Sequence, residues 1–173
     1  RYCDDVIDGQ SMGWASASDD DSTPQERLSR LTHGVELTLN GQPPPDSAFE
    51  GLHQVIESHA IPAPYIMDFM EGFRMDVDGY RYHEIDDTLR YAYHVAGVVG
   101  VMMTLIMGVR RDEVLDRACD LGIALQLTNI ARDVVTDAEM GRCYLPRRWM
   151  AEEGLPADGF TAQRYRVALS RVT

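Results

Sequence analysis

The chain has 173 residues, of which 45% are hydrophobic and 25% charged, so it can bury a core and is not a disordered polymer. Its 16 basic residues are all Arg and are outnumbered by 28 carboxylates, which gives a net charge of −12. That balance disfavours general nucleic-acid binding, which needs clustered cations, and favours metal ions or anions held through metal ions as ligands.

Helical patterns run almost throughout the chain and predict an all-α protein. Residues 1–12 resemble the tail of a helix, and 13–22 form an acidic loop. The capping box Thr23-Pro24-Gln25-Glu26 begins a helix that ends at Asn40-Gly41. The remaining predicted helices, in chain order, are 47–59 after three prolines, one from Pro62 and Pro64 to Asp78-Gly79, 85–108, 112–138, a short one after Pro146, and 162–173.

The ends and the cysteines of the chain indicate its organisation and compartment. No Met or signal peptide precedes Arg1, and the chain stops within a predicted helix, so we expect one domain over 1–173 that is incomplete at both termini. Cys3, Cys119 and Cys143 have no CxxC spacing, which predicts neither a disulfide framework nor a zinc knuckle and favours the reducing cytoplasm. The apolar run 95–109 is shorter than the roughly 20 residues that cross a bilayer, so we expect a core helix.

Two pairs of aspartates carry the strongest chemical signal. Asp4 and Asp8 form one pair, and Asp133 and Asp137 form the other. A spacing of four on a helix turns the side chain by only about 40° and rises about 6 Å, so both carboxylates of a pair point to one side. Carboxylate oxygens suit Mg²⁺, although a DxxxD pattern in an acidic protein is more often a solvated helix face.

The helix 112–138 strengthens the metal interpretation for the second pair. Gln126, Asn129, Asp133 and Asp137 fall within about 80° on a helical wheel, and the rest of the helix around them is apolar. Such a pattern predicts a buried helix whose polar stripe faces an internal cavity. Arg132 beside Asp133, and Arg1 near Asp4, offer forked donors that suit phosphate oxygens, so the two pairs read as two halves of a metal–diphosphate site. Structural ion pairs could instead explain either half alone.

The helix 85–108 supplies a candidate lining for an apolar cavity. Ala96, Gly100, Thr104 and Gly108 recur every four residues and would let either a neighbouring helix or a long hydrocarbon approach closely. Tyr91 and Tyr93 could offer a ring face or hydroxyl to a cation, or be plain core. Six methionines suit an adaptable tunnel but also fill any core: Met67, Met70, Met75, Met102, Met103 and Met107. The acidic stretch of Asp68, Glu71 and Asp76 reads as a solvated face.

Four sequence blocks together resemble the squalene/phytoene synthase family, with the greatest likeness to its bacterial phytoene-forming members. They are Asp-Asp-Val-Ile-Asp at 4–8, Tyr-Ala-Tyr-His-Val-Ala-Gly-Val-Val-Gly at 91–100, Leu-Gln-Leu-Thr-Asn-Ile-Ala-Arg-Asp at 125–133, and Gly-Arg-Cys-Tyr-Leu-Pro at 141–146. The resemblance implies an all-α isoprenoid-synthase fold around a central cavity. One departure is Thr136, which stands where many relatives carry Glu, and it leaves the Asp133 and Asp137 pair intact.

The resemblance also implies roles for individual residues. Asp4, Asp8, Asp133 and Asp137, with Asn129, match the positions that bind Mg²⁺ or Mn²⁺. Tyr91 matches the tyrosine proposed to assist the carbocation steps. The positions that match contacts to substrate are Arg1, Asn129, Arg132, Tyr144, the less certain Gln126, and the helical turn Val95, Ala96 and Gly97.

The function that the resemblance implies is the head-to-head condensation of two geranylgeranyl diphosphates, through prephytoene diphosphate, to phytoene with release of two diphosphates. The alternatives are a squalene, dehydrosqualene or hydroxysqualene synthase that uses farnesyl diphosphate, and a non-catalytic helical relative. Expected partners are isoprenyl diphosphates, with no nucleic acid. Peripheral membrane contact of a cytoplasmic protein is an option for releasing so apolar a product, but no basic amphipathic helix is visible. Oligomeric state and NADPH dependence stay open.

Overall fold

The computed structural model describes residues 22–42 and 46–155, and all regular structure within those ranges is helical. The elements are α1 (Pro24–Leu39), α2 (Ser47–His59), α3 (Ala63–Val77), α4 (Ile85–Ala92), a π-helical turn (Tyr93–Gly97), α5 (Val98–Ile106), α6 (Asp112–Glu139) and α7 (Arg147–Glu152). The predicted helices in these ranges are therefore confirmed to within a few residues. The predictions for 1–12, for 13–21 and for 162–173 lie outside the described residues.

Local capping explains where α1 and α2 begin. The Thr23 hydroxyl accepts from the Glu26 backbone N–H at 3.2 Å, and the Glu26 carboxylate accepts from the Thr23 N–H at 2.8 Å, which confirms the predicted capping box. Asp46 caps α2 in the same way, because its carboxylate accepts from the N–H groups of Ala48 and Phe49. Each cap satisfies donors that the first helical turn leaves free.

The predicted helix 85–108 differs from the observed one, because a π-helical turn, Tyr93–Gly97, separates α4 from α5 and the helix ends at Ile106. A Cβ at Gly72 of α3 would lie only 2.7 Å from Val95 Cγ1, so α3 accepts the widened turn at a glycine. Two contacts to Asp68 hold the turn: the Tyr93 hydroxyl donates to its carboxylate at 2.6 Å, and His94 Nδ1 lies 2.9 Å from its carbonyl oxygen. Single π-helical turns within α-helices occur often at functional sites.

The small-residue stripe of this helix serves contact between helices. A Cβ at Gly122 of α6 would overlap the carbonyl oxygen of Ala96, and one at Gly100 would overlap the carbonyl oxygen of Ala118. Backbone therefore meets backbone along the α5–α6 contact, with no room for a side chain between. Of the two interpretations of the stripe, helix packing accounts for Ala96 and Gly100.

The apolar surface of α6 is less covered than the sequence predicts. Only Gly122, Ile130 and Ala138 of this helix are buried, whereas Leu121 and Leu125 are 61% and 58% exposed. The prediction of a buried helix is therefore wrong for the described part of the chain. The physical reason is that α6 meets α4, the π-helical turn and α5 along only part of its surface, and no described residue covers Leu121 and Leu125.

Two groups of buried side chains form the core of the described residues. The first joins α1, α2 and α3 and comprises Leu28, Leu31, Val35, Phe49, Ile61, Ile66, Met70 and Phe73. The second joins the end of α3 to α4, α6 and the segment after α6, and comprises Met75, Tyr82, Tyr91, Ile130 and Tyr144. The methionines divide accordingly: Met70 and Met75 are buried, while Met67, Met103 and Met107 are exposed.

The stretch Ile85–Ile106 is, within the described ranges, the one candidate for a membrane span by length and composition. It covers 22 residues and packs against α3 and α6, as a core helix does. Cys119 and Cys143 are free thiols.

Two glycine-to-alanine changes should have opposite effects in the full-length protein, meaning the longest form that its gene encodes. Gly122→Ala should lower the free energy of unfolding by about 1–3 kcal/mol or more, because its methyl group meets the Ala96 backbone. Gly51→Ala should raise it by about 0.5–1 kcal/mol, because no atom lies within 4 Å of the new Cβ in the middle of α2. Urea unfolding measures both. A neutral Gly122→Ala would mean that the helices do not approach this closely.

Candidate functional site

The polar stripe of α6 brings Asn129, Asp133 and Asp137 to one side of the helix. Asn129 is exposed, and Asp133 and Asp137 are half-buried. Arg132 donates to both oxygens of Asp133, from Nε at 2.7 Å and from Nη2 at 2.5 Å. Because this ion pair is exposed, with 67% of the Arg132 side chain open to solvent, it contributes little stability and Arg132 can be drawn to another anion.

The two aspartates of the stripe differ in their electrostatic surroundings. The hydrogen bonds from Arg132 lower the pKa of Asp133 below its usual value. Burial raises the pKa of Asp137, and the charge of Asp133 raises it further, with a smaller contribution of the same sign from Asp76. Asp137 is thus a carboxylate whose ionised form gains from any added positive charge.

A small recess of about 10 Å³, roughly the space of a single water molecule, lies beside Asp137. Its walls are Ile130 and Val134 of α6 and the segment Arg142–Leu145, which includes Tyr144. This segment returns toward α6 because Gly141, at φ +76°, turns the chain and the Arg142 N–H donates to the Asp137 carbonyl at 2.8 Å. The Thr88 hydroxyl of α4 then donates to the Tyr144 carbonyl at 2.8 Å, which fixes the segment against α4.

Behind the recess, two tyrosines share one carboxylate. The Tyr91 hydroxyl donates to Oδ2 of Asp76 at 2.8 Å, and the Tyr144 hydroxyl donates to Oδ1 at 3.0 Å. Their rings stack with centroids 4.7 Å apart and planes 21° apart. Burial raises the pKa of Tyr91 and of Tyr144, so both phenols stay protonated at neutral pH.

Tyr82 completes this aromatic cluster. Its ring lies 5.6 Å from those of both Tyr91 and Tyr144, and the side chain is almost fully buried. Its hydroxyl has no hydrogen-bond partner in the described part of the chain. Asp87, at the start of α4, supports the loop that carries Tyr82, because its carboxylate accepts from the N–H groups of His83 and Glu84 and from the Tyr80 hydroxyl.

The structure brings some of the predicted site residues together and leaves others apart. Asn129, Arg132, Asp133 and Asp137 share the α6 stripe with half-buried Gln126, and Tyr144 lies at the recess beside Asp137 with Tyr91 stacked on it. Arg1, Asp4 and Asp8 lie outside the described residues, so a meeting of the two aspartate pairs stays a prediction. No group of three or more His, Cys, Asp or Glu side chains converges within 22–42 and 46–155.

The predicted lining turn Val95, Ala96 and Gly97 lies at contacts between helices. Val95 meets Gly72 of α3, the Ala96 carbonyl meets Gly122, and a Cβ at Gly97 would lie 3.1 Å from Cys119 and Ile123 of α6. A contact of these residues with substrate stays a prediction. Their observed partners are protein atoms.

Sequence reasoning missed Asp76. The sequence pattern places Asp76 in a solvated acidic stretch, yet the Asp76 carboxylate accepts hydrogen bonds from two buried tyrosines. One signal could have found it: Ile66, Met70 and Phe73 mark the buried side of α3, and Asp76 follows Phe73 by three residues on that side. A carboxylate in such a position needs partners.

Comparison with known proteins places these features in context. The sequence model of the family described as squalene/phytoene synthase matches residues 1–173. Over 172 residues the chain is 50% identical to the 15-cis-phytoene synthase of Pantoea ananas and 51% identical to that of Enterobacter agglomerans, covering 99% of this chain and 56% and 58% of those proteins. The chain thus spans about half the length of the curated relatives it matches.

Solved structures confirm the predicted isoprenoid-synthase fold. A dehydrosqualene synthase solved with a ligand is 31% identical with a TM-score of 0.71, covering 89% of this chain and 50% of that one. The squalene synthase HpnC from Alicyclobacillus acidocaldarius has the same TM-score at 23% identity, covering 91% of this chain and 57% of that one, and supports the fold alone.

The tyrosine cluster predicts different costs for removing two hydroxyls. Tyr144→Phe should lower the free energy of unfolding by about 1.5 kcal/mol or more, because it removes a hydrogen bond to the Asp76 carboxylate. Tyr82→Phe should leave it unchanged or raise it, because the lost hydroxyl is buried without a described partner. Urea unfolding of the full-length variants compares them. Equal losses would show that the Tyr82 hydroxyl is hydrogen-bonded.

Proposed function

We propose that this chain, which belongs to the squalene/phytoene synthase family, forms part of the active site of a prenyltransferase that joins two geranylgeranyl diphosphates head to head into phytoene. The observation that carries the proposal is the α6 stripe. Asp133 and Asp137 stand beside a recess that Tyr144 lines, in a chain about half identical to proteins named 15-cis-phytoene synthase. Diphosphate release accompanies each of the two ionisations in this reaction.

In this proposal Asp133 and Asp137, with Asn129 one turn earlier, would hold a divalent metal ion such as Mg²⁺ or Mn²⁺. The donor set fits a hard cation, since it offers carboxylate and amide oxygens from one side of a helix. The raised pKa of Asp137 fits as well, because a cation would offset the burial that disfavours its charged form. When bound, such an ion supplies positive charge that neutralises a diphosphate leaving group. We propose the same ligand role for Asp4 and Asp8.

Arg132 acts as a diphosphate-binding residue in the proposed site. Its planar guanidinium matches phosphate oxygens in pairs, and its partner Asp133 would be taken up by the metal ion. Arg132 can therefore leave Asp133 for the substrate at little cost. We propose that Arg1 assists in binding the diphosphate and that Gln126 adds an amide at the near end of the stripe.

The apolar and aromatic walls protect the carbocation steps. Ile130, Val134 and Leu145 line the recess beside Asp137 and exclude water that would capture a cation. Tyr91 and Tyr144 place electron-rich rings next to these walls. The role of this cluster is to keep an allylic cation in contact with apolar and aromatic groups until the new carbon–carbon bond forms.

A synthase that uses farnesyl diphosphate is the second candidate, because the solved neighbours are squalene and dehydrosqualene synthases. The higher identity, about 50%, to 15-cis-phytoene synthases favours the twenty-carbon substrate. A non-catalytic relative has no need for the raised pKa of Asp137 or for an aspartate pair beside an aromatic recess.

Product analysis separates these candidates. The full-length protein should convert geranylgeranyl diphosphate with Mg²⁺ into phytoene, and NADPH should not be required. Chromatography with mass spectrometry identifies the hydrocarbon after incubation with geranylgeranyl or farnesyl diphosphate, each with and without NADPH. A thirty-carbon product from farnesyl diphosphate, with no phytoene, would contradict the proposed substrate.

Substitution on α6 tests the metal role. Asp133→Asn should reduce turnover by two orders of magnitude or more, about the loss seen when a preorganised charge is removed from a site, and should weaken Mn²⁺ binding. Initial rates of diphosphate release and Mn²⁺ titration by electron paramagnetic resonance measure the two effects. Asp120→Asn is the matched control, because Asp120 is exposed on a different side of α6. Normal turnover and normal Mn²⁺ affinity in Asp133→Asn would refute the role.

A further inference from the structure

The carboxylate of Asp76 is the point at which three separate segments of the chain converge. Asp76 lies near the end of α3, Tyr91 lies on α4, and Tyr144 lies in the segment after α6. Each tyrosine hydroxyl uses a different oxygen of this carboxylate, at 2.8 Å and 3.0 Å. Asp76 and Tyr144 are 68 positions apart in the sequence, so their contact is a product of the tertiary fold.

The number of hydroxyl protons in the cluster limits which hydrogen bonds Tyr91 and Tyr144 can donate. A phenol has one hydroxyl proton, and an ionised carboxylate can only accept. With Asp76 ionised, the contacts at 2.8 Å and 3.0 Å direct one phenolic proton to each of its two oxygens. To any other group, the oxygens of Tyr91 and Tyr144 offer lone pairs, and the hydrogen bond to a charged acceptor increases the electron density on those oxygens.

The rings around the carboxylate keep this arrangement in place. Tyr91 and Tyr144 stack at 4.7 Å, and Tyr82 meets both rings at 5.6 Å. Tyr91 and Tyr82 are 4% and 3% exposed, so their rings have little freedom to turn. Tyr144 is also a wall of the recess beside Asp137, which connects the buried pair to the proposed site.

We propose that Asp76 is a positioning residue that holds the protons of Tyr91 and Tyr144 away from the reacting groups, so that both tyrosines act as acceptors toward positive charge. In that state they stabilise a carbocation and do not donate to the diphosphate, a task left to Arg132. The inference rests on the proposed function. The inference adds to that function a residue outside the two aspartate pairs, Asp76, and a direction for two hydrogen bonds.

Asp76→Asn is the informative change, because the amide has nearly the same shape but carries only one acceptor oxygen. Its NH₂ group donates, so one tyrosine must reverse and turn its proton outward. We expect kcat to fall about 10- to 100-fold, as for other residues that orient a functional group, with KM changed less than about threefold. Alcohols formed by water capture should rise relative to hydrocarbon. Asp78→Asn at the exposed end of α3 is the matched control and should keep wild-type kinetics.

Raman spectroscopy tests the hydrogen-bond direction without any assay of activity. The tyrosine doublet reports whether a phenol donates or accepts, and the wild-type minus Tyr144→Phe difference spectrum isolates Tyr144. We expect a strong donor in the wild type. In the Asp76→Asn background, the combined difference spectra for Tyr91→Phe and Tyr144→Phe should show one phenol that has become an acceptor.

Two results would overturn the inference: a Tyr144 doublet of acceptor type in the wild type, or wild-type kcat and product ratio in Asp76→Asn. If Asp76→Asn does not fold, Tyr144→Phe replaces it and should show the same loss of kcat with KM retained; a rise in KM alone would again overturn the inference. A wild-type protein inactive on both isoprenyl diphosphates, yet with a donor-type doublet, would refute the proposed function and the role of Asp76 in it while leaving the hydrogen-bond direction established.

Discussion

The contact on which the site depends is the backbone approach of α6 to the helix before it. Gly122 meets the Ala96 carbonyl and Gly100 meets the Ala118 carbonyl, so the two backbones touch at two levels one turn apart. Contacts of this kind tolerate no side chain and therefore fix both the separation and the rotation of α6. Since Asp133 and Asp137 follow on the same helix, this rotation decides which way their carboxylates point.

The π-helical turn is the counterpart of that contact on the other helix. Widening the helix at Tyr93–Gly97 shifts α4 relative to α5, so that Tyr91 faces Asp76 while Gly97 and Gly100 face α6. Asp68 holds the turn through Tyr93 and His94, and Gly72 leaves space for Val95. Two residues of α3 thus contact this region: Gly72 packs against the π-helical turn, and Asp76 accepts hydrogen bonds from Tyr91 and Tyr144.

Local signals were sufficient for the helices and insufficient for the cluster around Asp76. The capping box at Thr23 and the helical periodicity of 112–138 depend on residues close together in the sequence. Both predicted helices are present, as α1 and α6. The pairing of Asp76 with Tyr91 and Tyr144 depends on three segments folding together, and no local pattern states it. The π-helical turn was not predicted for the same reason, because it packs against Gly72 of another helix, α3. The α6 stripe was predicted as a set of residues, but not the exposure of Leu121 and Leu125 beside it.

The geometry of α6 explains why its polar stripe can belong to a site although the helix is not buried all round. At 100° per residue, Ala118 and Gly122 point in nearly the same direction as Asn129 and Asp133. The first half of that face is occupied by α5 and the π-helical turn, where only small residues fit. The second half runs on past the end of that contact, next to α4 and the Tyr144 segment, where polar side chains have space. One helical face thus serves packing where its residues are small and chemistry where they are polar.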